Sequence, residues 1–377
     1  MGEMERSHSK KILLMGGSRF IGIHLLRALH KKGHEVTVFN RALTRRSAPY
    51  PKGINFVRGD RDNPEDIKKL FNAQYYDVLI DIHGWKPEHV IPILQNYRLS
   101  IGHYIYLSTT GVYKDPVEYP ITEESPRRYI DGGKAQVEDL LFKAYKENQF
   151  SVTIFRPHGV IGPYDPCSMG LIFYRLMHAL PLFVHSKANT RINYLDVHDL
   201  VKAFMLAMNN SATFGSAYVL AGDDMMTPAE FIGLCGKICS KTPKLKFIDD
   251  IAIYENAKYV KERRFVDFCV PWPKVDQVID NRKIKKDLGL EFTNIETTIR
   301  ETYSWLLAKP SRLKYFTLSG EQYILTGRPI PYLMKAHWKL MDILEDAVKG
   351  VRETMKNVQM IKKSYFYLKR LLLVQIR

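Results

Sequence analysis

A chain of 377 residues with 45% hydrophobic and 25% charged residues can bury a large core, which excludes a disordered or low-complexity protein. Its formal net charge is +16, and residues 309–377 hold fourteen Lys/Arg against five Asp/Glu, so nine of those charges sit in the last fifth of the chain. The Met1–Lys10 stretch is polar, no apolar run approaches the ~20 residues that span a bilayer, and Cys167, Cys235, Cys239 and Cys269 make no zinc-ligand pattern. A cytoplasmic protein with no metal site is expected.

Lys11–Met15 is a short apolar run before glycines and predicts a buried strand. Phe20–Lys32 then sets Ile21, Leu25, Leu26 and Leu29 at helical spacing, and Gly33-His34 separates this helix from a second strand at Glu35–Phe39. Further strands are predicted at Ile54–Arg58, Tyr76–Ile82, His103–Ser108, Val152–Arg156 and Ala217–Ala221. Helices are predicted between them at Asn63–Phe71, Lys86–Tyr97, Lys134–Lys146 and Asp199–Asn209. Alternating strands and helices imply an α/β Rossmann fold, a doubly wound parallel sheet covered on both faces. Residues 10–307 would form this domain, with a smaller substrate cap built from residues 162–193 and 223–300. Beyond Lys309-Pro310, apolar residues from Met334 to Leu372 recur every three or four positions, so residues 308–377 are expected to add a basic amphipathic helix.

The turn Gly16-Gly17-Ser18-Arg19-Phe20-Ile21-Gly22 lies between the first strand and the first helix. Glycines at that junction let backbone approach a pyrophosphate, whose charge the helix N-terminus favours. Gly16, Ser18, Arg19, Phe20, Ile21 and Gly22 are therefore expected to hold a dinucleotide, with Arg19 in the middle-glycine position reaching a phosphate. The second strand ends in Asn40-Arg41, both expected to contact the cofactor, with no acidic residue to hold the ribose 2′-hydroxyl of NAD. Arg41, with Arg45 and Arg46, suits a 2′-phosphate, so NADP is expected ahead of NAD; a solvated basic loop is the alternative. Asp60 and Arg61 follow the third strand, where Asp60 can meet the adenine or instead pair into an ordinary helix cap with Asp62 or Asn63. His83, at the end of the fourth strand, and Pro157 complete the expected cofactor contacts.

This glycine turn with Phe39-Asn40-Arg41 resembles the atypical, Arg-containing branch of the extended short-chain dehydrogenases. That branch is similar to nucleotide-sugar epimerases and dehydratases and to chloroplast stem-loop RNA-binding proteins. Leu107–Tyr113, Arg156–Pro163, Asn193–Leu200 and Asp280–Leu306 resemble later segments of the same family, over about Lys10–Leu307 in all. The resemblance implies that Thr109 orients the substrate and that Lys134 binds the nicotinamide ribose and lowers the pKa of a tyrosine acting as acid or base. The family's tyrosine position, four residues before the lysine, is Ile130 here. Tyr129 is five residues away, roughly 140° off the lysine's face in a regular helix, and serves only if the helix starts after Gly132-Gly133. Tyr113, or loss of the group, is the alternative.

His158 is a candidate substrate contact or a packed loop residue. Arg191 and Asn193 are candidates for a substrate phosphate or for a turn. The expected function is an NAD(P)-dependent epimerase or reductase acting on a nucleotide-linked sugar or similar polyol. The alternative is a non-catalytic or RNA-binding protein that keeps the fold. The tail permits packing on its own domain or in a homodimer, peripheral contact with an anionic membrane, or, less favoured, nucleic-acid contact.

Overall fold

The computed structural model describes residues 9–43, 47–72, 74–113, 119–128, 133–147, 150–165, 169–185, 189–248 and 276–308. Tyr129, Arg45, Arg46, Cys167, Cys269 and the amphipathic segment from residue 309 onward lie outside the described residues.

The first half alternates strand and helix: β1 (Lys11–Met15), α1 (Phe20–Lys31), β2 (Glu35–Asn40), β3 (Asn55–Arg58), α2 (Pro64–Phe71), β4 (Tyr76–Asp81), α3 (Ile91–Asn96) and β5 (Ile101–Leu107). It continues through α4 (Lys134–Lys146), β6 (Ser151–Pro157), β7 (Val160–Ile161), α5 (Met169–Met177), β8 (Pro181–His185), β9 (Ile192–Asn193) and β10 (Leu195–Asp196). The remaining described elements are α6 (Val197–Ala207), β11 (Ser216–Leu220), β12 (Met225–Met226), α7 (Pro228–Cys239), β13 (Lys244–Ile248), α8 (Arg282–Leu288) and α9 (Ile295–Leu307).

Seven strands form one sheet in the order β11-β6-β5-β4-β1-β2-β3, with every neighbouring pair parallel. This is the expected doubly wound Rossmann-like sheet. Alternate residues of β1 serve opposite faces: Ile12 and Leu14 join α1 residues Leu25 and Leu26 and α6 residues Leu200 and Phe204, whereas Leu13 and Met15 join α2 residues Ile67 and Leu70. Two apolar layers thus cover both sides of the sheet, which is why its strands read as near-continuous apolar runs. In the second half, β8 pairs in parallel with β13, and α5, α7 and α9 pack on one another.

Beyond shifts of one or two residues at strand and helix ends, two differences from the sequence expectation have a local cause. The single helix expected over Lys86–Tyr97 is a 3₁₀ turn at Pro87–His89 followed by the short α3, because Pro87 and Pro92 each start a new helical turn and lack the amide that would continue one. Helix α6 begins two residues earlier than Asp199, because the Asp196 carboxylate caps it by accepting from the His198 amide at 2.6 Å.

Candidate active site

The strand order reverses between β1 and β4, and the segments leaving those two strands line the crevice at the sheet's C-terminal edge. After β1, Gly16 and Gly17 have φ of +130° and +84°, a backbone region that side chains disfavour. The Gly16 amide donates to the Phe39 carbonyl at 3.0 Å, and the Ile82 amide after β4 donates to the Met15 carbonyl at 3.3 Å, so the two segments lie side by side. A Cβ on Gly22 would stand 2.7 Å from the Gly17 backbone, so α1 is pressed against the turn. The glycines let the turn pack directly against Ile82, Val38 and α1, and the cradle so formed lies at a helix N-terminus. Its residues fit a dinucleotide pyrophosphate.

Ser18 is half-buried, its carbonyl accepting from the Ser47 amide at 2.9 Å. Arg19 is exposed at the N-cap of α1 with no capping bond from its side chain, which leaves the guanidinium available to an anion. Phe20 (φ +34°) and Ile21 open the helix, with Ile21 packed against the core.

Asn40 departs from its expected role. Its Nδ2 donates to the Gly16 carbonyl at 2.8 Å and to Tyr50 Oη at 3.2 Å, while its Oδ1 accepts from the Ala42 amide at 2.9 Å. The amide staples the glycine turn to β2 instead of standing free for a ribose. Arg41 is exposed, with Nη1 3.8 Å from Asp60 Oδ2, and Asp60 also accepts from the Asp62 amide at 3.1 Å. Asn63, not Asp60, caps α2. A carboxylate therefore stands beside Arg41 after all, brought from β3 instead of β2.

Arg61 is corrected as well. Its guanidinium forks onto Asp81, at 3.0 Å to Oδ1 and 2.7 Å to Oδ2, and donates to the His89 carbonyl at 3.1 Å, so it faces the interior instead of a cofactor. Tyr104 Oη also donates to Asp81, at 2.9 Å. Burial alone would push the Asp81 carboxyl up, but the Arg61 charge and hydrogen bonds, helped by the His83 amide, hold it well below the usual carboxylate range. The pair fixes the turn after β4, where the His83 amide donates to Asp81 Oδ1 at 2.9 Å and the Gly84 carbonyl accepts from Tyr106 Oη at 2.6 Å.

Lys134 is the first residue of α4, with Gly133 as its N-cap. The helix therefore starts after Gly133, the start that the candidacy of Tyr129 requires; Tyr129 itself lies outside the described residues. The Lys134 ammonium donates to the Leu107 carbonyl at 2.6 Å and to Tyr106 Oη at 3.4 Å, and lies 4.7 Å from each of the Trp85 and Tyr106 ring centres. Burial lowers its pKa to about 8. Two residues past Leu107, Thr109 Oγ1 accepts from the Gly111 amide at 3.1 Å, which leaves the hydroxyl proton to donate elsewhere.

Tyr113, the alternative acid/base group, is buried, bonded to Arg156 Nη1 at 2.8 Å and pushed up by burial to about 12. It belongs to the support behind the site. There Arg156 bonds Glu138 at 3.1 and 2.8 Å, and Arg127 joins the same carboxylate at 2.9 Å. Glu138 sits one turn after Lys134 on α4, so this network fixes the lysine's helix. No local spacing signals this network, because Glu138 pairs with Arg127 and Arg156 from other segments and not with Lys134 four residues before it.

Pro157 ends β6 beside β5, and its carbonyl accepts from Thr110 Oγ1 at 3.5 Å. His158 Nδ1 pairs with Thr110 Oγ1 at 2.8 Å, and burial lowers its pKa to about 4, so the ring is neutral. Asn193 is 2% exposed and committed to the backbone: Nδ2 donates to Gly222 at 3.0 Å and Ile279 at 3.3 Å, and Oδ1 accepts from the Ile279 amide at 3.1 Å. It is a strut between segments and presents nothing to a phosphate. Arg191 is exposed, its amide held by Asp276 at 2.8 Å.

Among the described residues no helix is long and apolar enough to cross a membrane. The pattern of the family described as NAD dependent epimerase/dehydratase matches residues 12–221. The chain is similar to the chloroplast stem-loop binding protein of 41 kDa b of Arabidopsis thaliana, 32% identical over an alignment of 250 residues that covers 62% of this chain and 64% of that protein. The chain thus spans less than two thirds of that relative's length. It is 25% identical over 239 residues to a UDP-glucose 4-epimerase of Lactobacillus helveticus, covering 53% of this chain and 72% of the relative. Among solved structures, the fold is similar to a UDP-glucose 4-epimerase of Thermotoga maritima with UDP-glucose (TM-score 0.66, 18% identity, 79% of this chain and 99% of that one). It is equally similar to a dTDP-glucose 4,6-dehydratase of Bacillus anthracis in complex with NAD (TM-score 0.66, 17% identity, 81% of this chain and 100% of that one).

Proposed function

The chain belongs to the NAD dependent epimerase/dehydratase family, and on that premise we propose that it is an NAD(P)-dependent epimerase or reductase acting on a nucleotide-linked sugar or similar polyol. The dinucleotide supplies hydride chemistry at C4 of its nicotinamide. The chain's own residues bind and orient. Gly16, Gly17 and Gly22 keep the pyrophosphate cradle open, Lys134 holds the nicotinamide ribose, Thr109 orients the substrate hydroxyl, and Tyr129 moves its proton. Arg41 offers a cation to a 2′-phosphate, which favours NADP; Asp60 beside it is the competing feature, able to hold a ribose hydroxyl. The substrate class follows the epimerase and dehydratase relatives. The observation that carries the reading is the half-buried Lys134 ammonium bonded to the end of β5, two residues before Thr109 in the chain and across the switch point from the glycine turn.

The test is turnover. The full chain is incubated with NAD or NADP and a panel of UDP- and dTDP-sugars, and the products are resolved by chromatography beside Lys134→Ala. Conversion in the wild type alone supports the reading; binding of neither dinucleotide sinks it.

A second reading has its own support in the stem-loop binding relative and the basic tail. Here the fold is retained for RNA binding, and salt-sensitive retention of a stem-loop RNA without sugar turnover would favour it. Tail-mediated pairing with a second copy or contact with an anionic membrane would show as a doubled mass or as vesicle co-sedimentation.

A further inference from the structure

Trp85 is 56% exposed, yet its indole is held in place. Its Nε1 donates to His83 Nδ1 at 3.2 Å, its backbone amide donates to His89 Nδ1 at 3.1 Å, and the Lys134 ammonium lies 4.7 Å from its ring centre. The indole bond requires His83 to carry its proton on Nε2, and burial lowers the His83 pKa, so the pair is intact at neutral pH. A large aromatic that is exposed, with its ring held at two points and its backbone at a third, is preorganised for a ligand, because little side-chain entropy remains to be lost on binding.

Its position says which part of the ligand. The segment Ile82–Trp85 leaves β4 at the reversal of strand order. It starts against the pyrophosphate cradle, where a Cβ on Gly16 would lie 2.5 Å from the Ile82 side chain, and it ends against Lys134. The adenine-side residues Arg41 and Asp60 stand at the ends of β2 and β3, across β1 from this segment. A dinucleotide with its pyrophosphate on the glycine turn thus meets Trp85 with its second nucleoside.

We propose that Trp85 is a specificity-determining residue for the nicotinamide end of the cleft, its fixed indole packing against the second nucleoside of a bound dinucleotide and shielding Lys134 from water. This rests on the dinucleotide reading above. Arg61 and Asp81 are the positioning residues behind it, because they hold the turn that carries it.

The test is calorimetric titration of the full chain with NAD, NADP and ADP, in wild type, Trp85→Ala and Trp85→Phe, with tryptophan emission followed in parallel. ADP carries the adenine half alone. Trp85→Ala is expected to weaken dinucleotide binding about tenfold, the order of one lost stacking partner, and to leave ADP affinity unchanged. Wild-type emission should be quenched by the dinucleotide, and Trp85→Phe should keep most of the affinity but lose that quenching. Equal dinucleotide affinity in wild type and Trp85→Ala would overturn the proposal while leaving the dinucleotide cleft intact. So would an equal loss for ADP in both variants. A wild type that binds ADP but neither dinucleotide would remove both this proposal and the reading beneath it.

Discussion

Lys134 donates to the Leu107 carbonyl at 2.6 Å, joining the first residue of α4 to the last residue of β5. The ammonium charge is held in an aromatic and largely dry setting, which brings its pKa to about 8 from 10.5. Lys134→Ala is expected to lower turnover by about 10²–10⁴-fold, the usual range for acid–base machinery. A lysine that works as a cation loses activity as pH rises through its pKa. Wild-type activity is therefore expected to fall above about pH 8, and Lys134→Arg should move that fall to higher pH. A pH–rate profile of both proteins checks this.

Asp81 and Arg61 are a buried pair, and removing one partner strands the other. Asp81→Asn or Arg61→Met should each cost about 3–5 kcal/mol in urea unfolding, whereas an apolar replacement of both should cost less than either alone. A double-mutant cycle measures the difference.

Gly22→Ala inserts a methyl 2.7 Å from the Gly17 backbone, where neither helix nor turn can yield without opening the cradle. Loss of dinucleotide binding by about a hundredfold is expected, with the circular dichroism spectrum retained. Unchanged binding would mean that the turn does not carry the pyrophosphate.

His24, His103 and His158 are held neutral chiefly by burial, with pKa values of about 4, 3 and 4 against an ordinary 6.5. Between those values and 6.5 the unfolded chain binds protons that the folded chain does not, so stability falls as pH drops through that window. Thermal unfolding from pH 7 to pH 4 should show a steadily falling midpoint, and replacing His103 with Gln should flatten part of the slope.

The Rossmann core was legible because β1, the glycine turn and α1 each carry a local signal: an apolar run, residues that permit positive φ, then helical spacing. What the sequence hid depends on strand order or on side-chain direction. Arg61 and Asp81 are twenty positions apart and meet only because the segment after β3 returns to the end of β4, two strands (β2 and β1) away in the sheet. Asn40 and Asn193 sit near the expected crevice, but a short amide that serves the backbone looks the same in sequence as one that serves a ligand. The α3 break was written in Pro87 and Pro92, yet the apolar periodicity across Lys86–Tyr97 outweighed it. Trp85 follows a strand in a short turn, and nothing in its neighbours announces that its indole is both open and fixed.

The most direct test of the dinucleotide cleft is calorimetric titration of the purified chain with NADP and with NAD, repeated for Gly22→Ala and Arg41→Ala. Saturable binding at one site is expected, lost in Gly22→Ala, with any preference for NADP over NAD lost in Arg41→Ala. Binding of neither dinucleotide by the wild type, or binding untouched by Gly22→Ala, would contradict it.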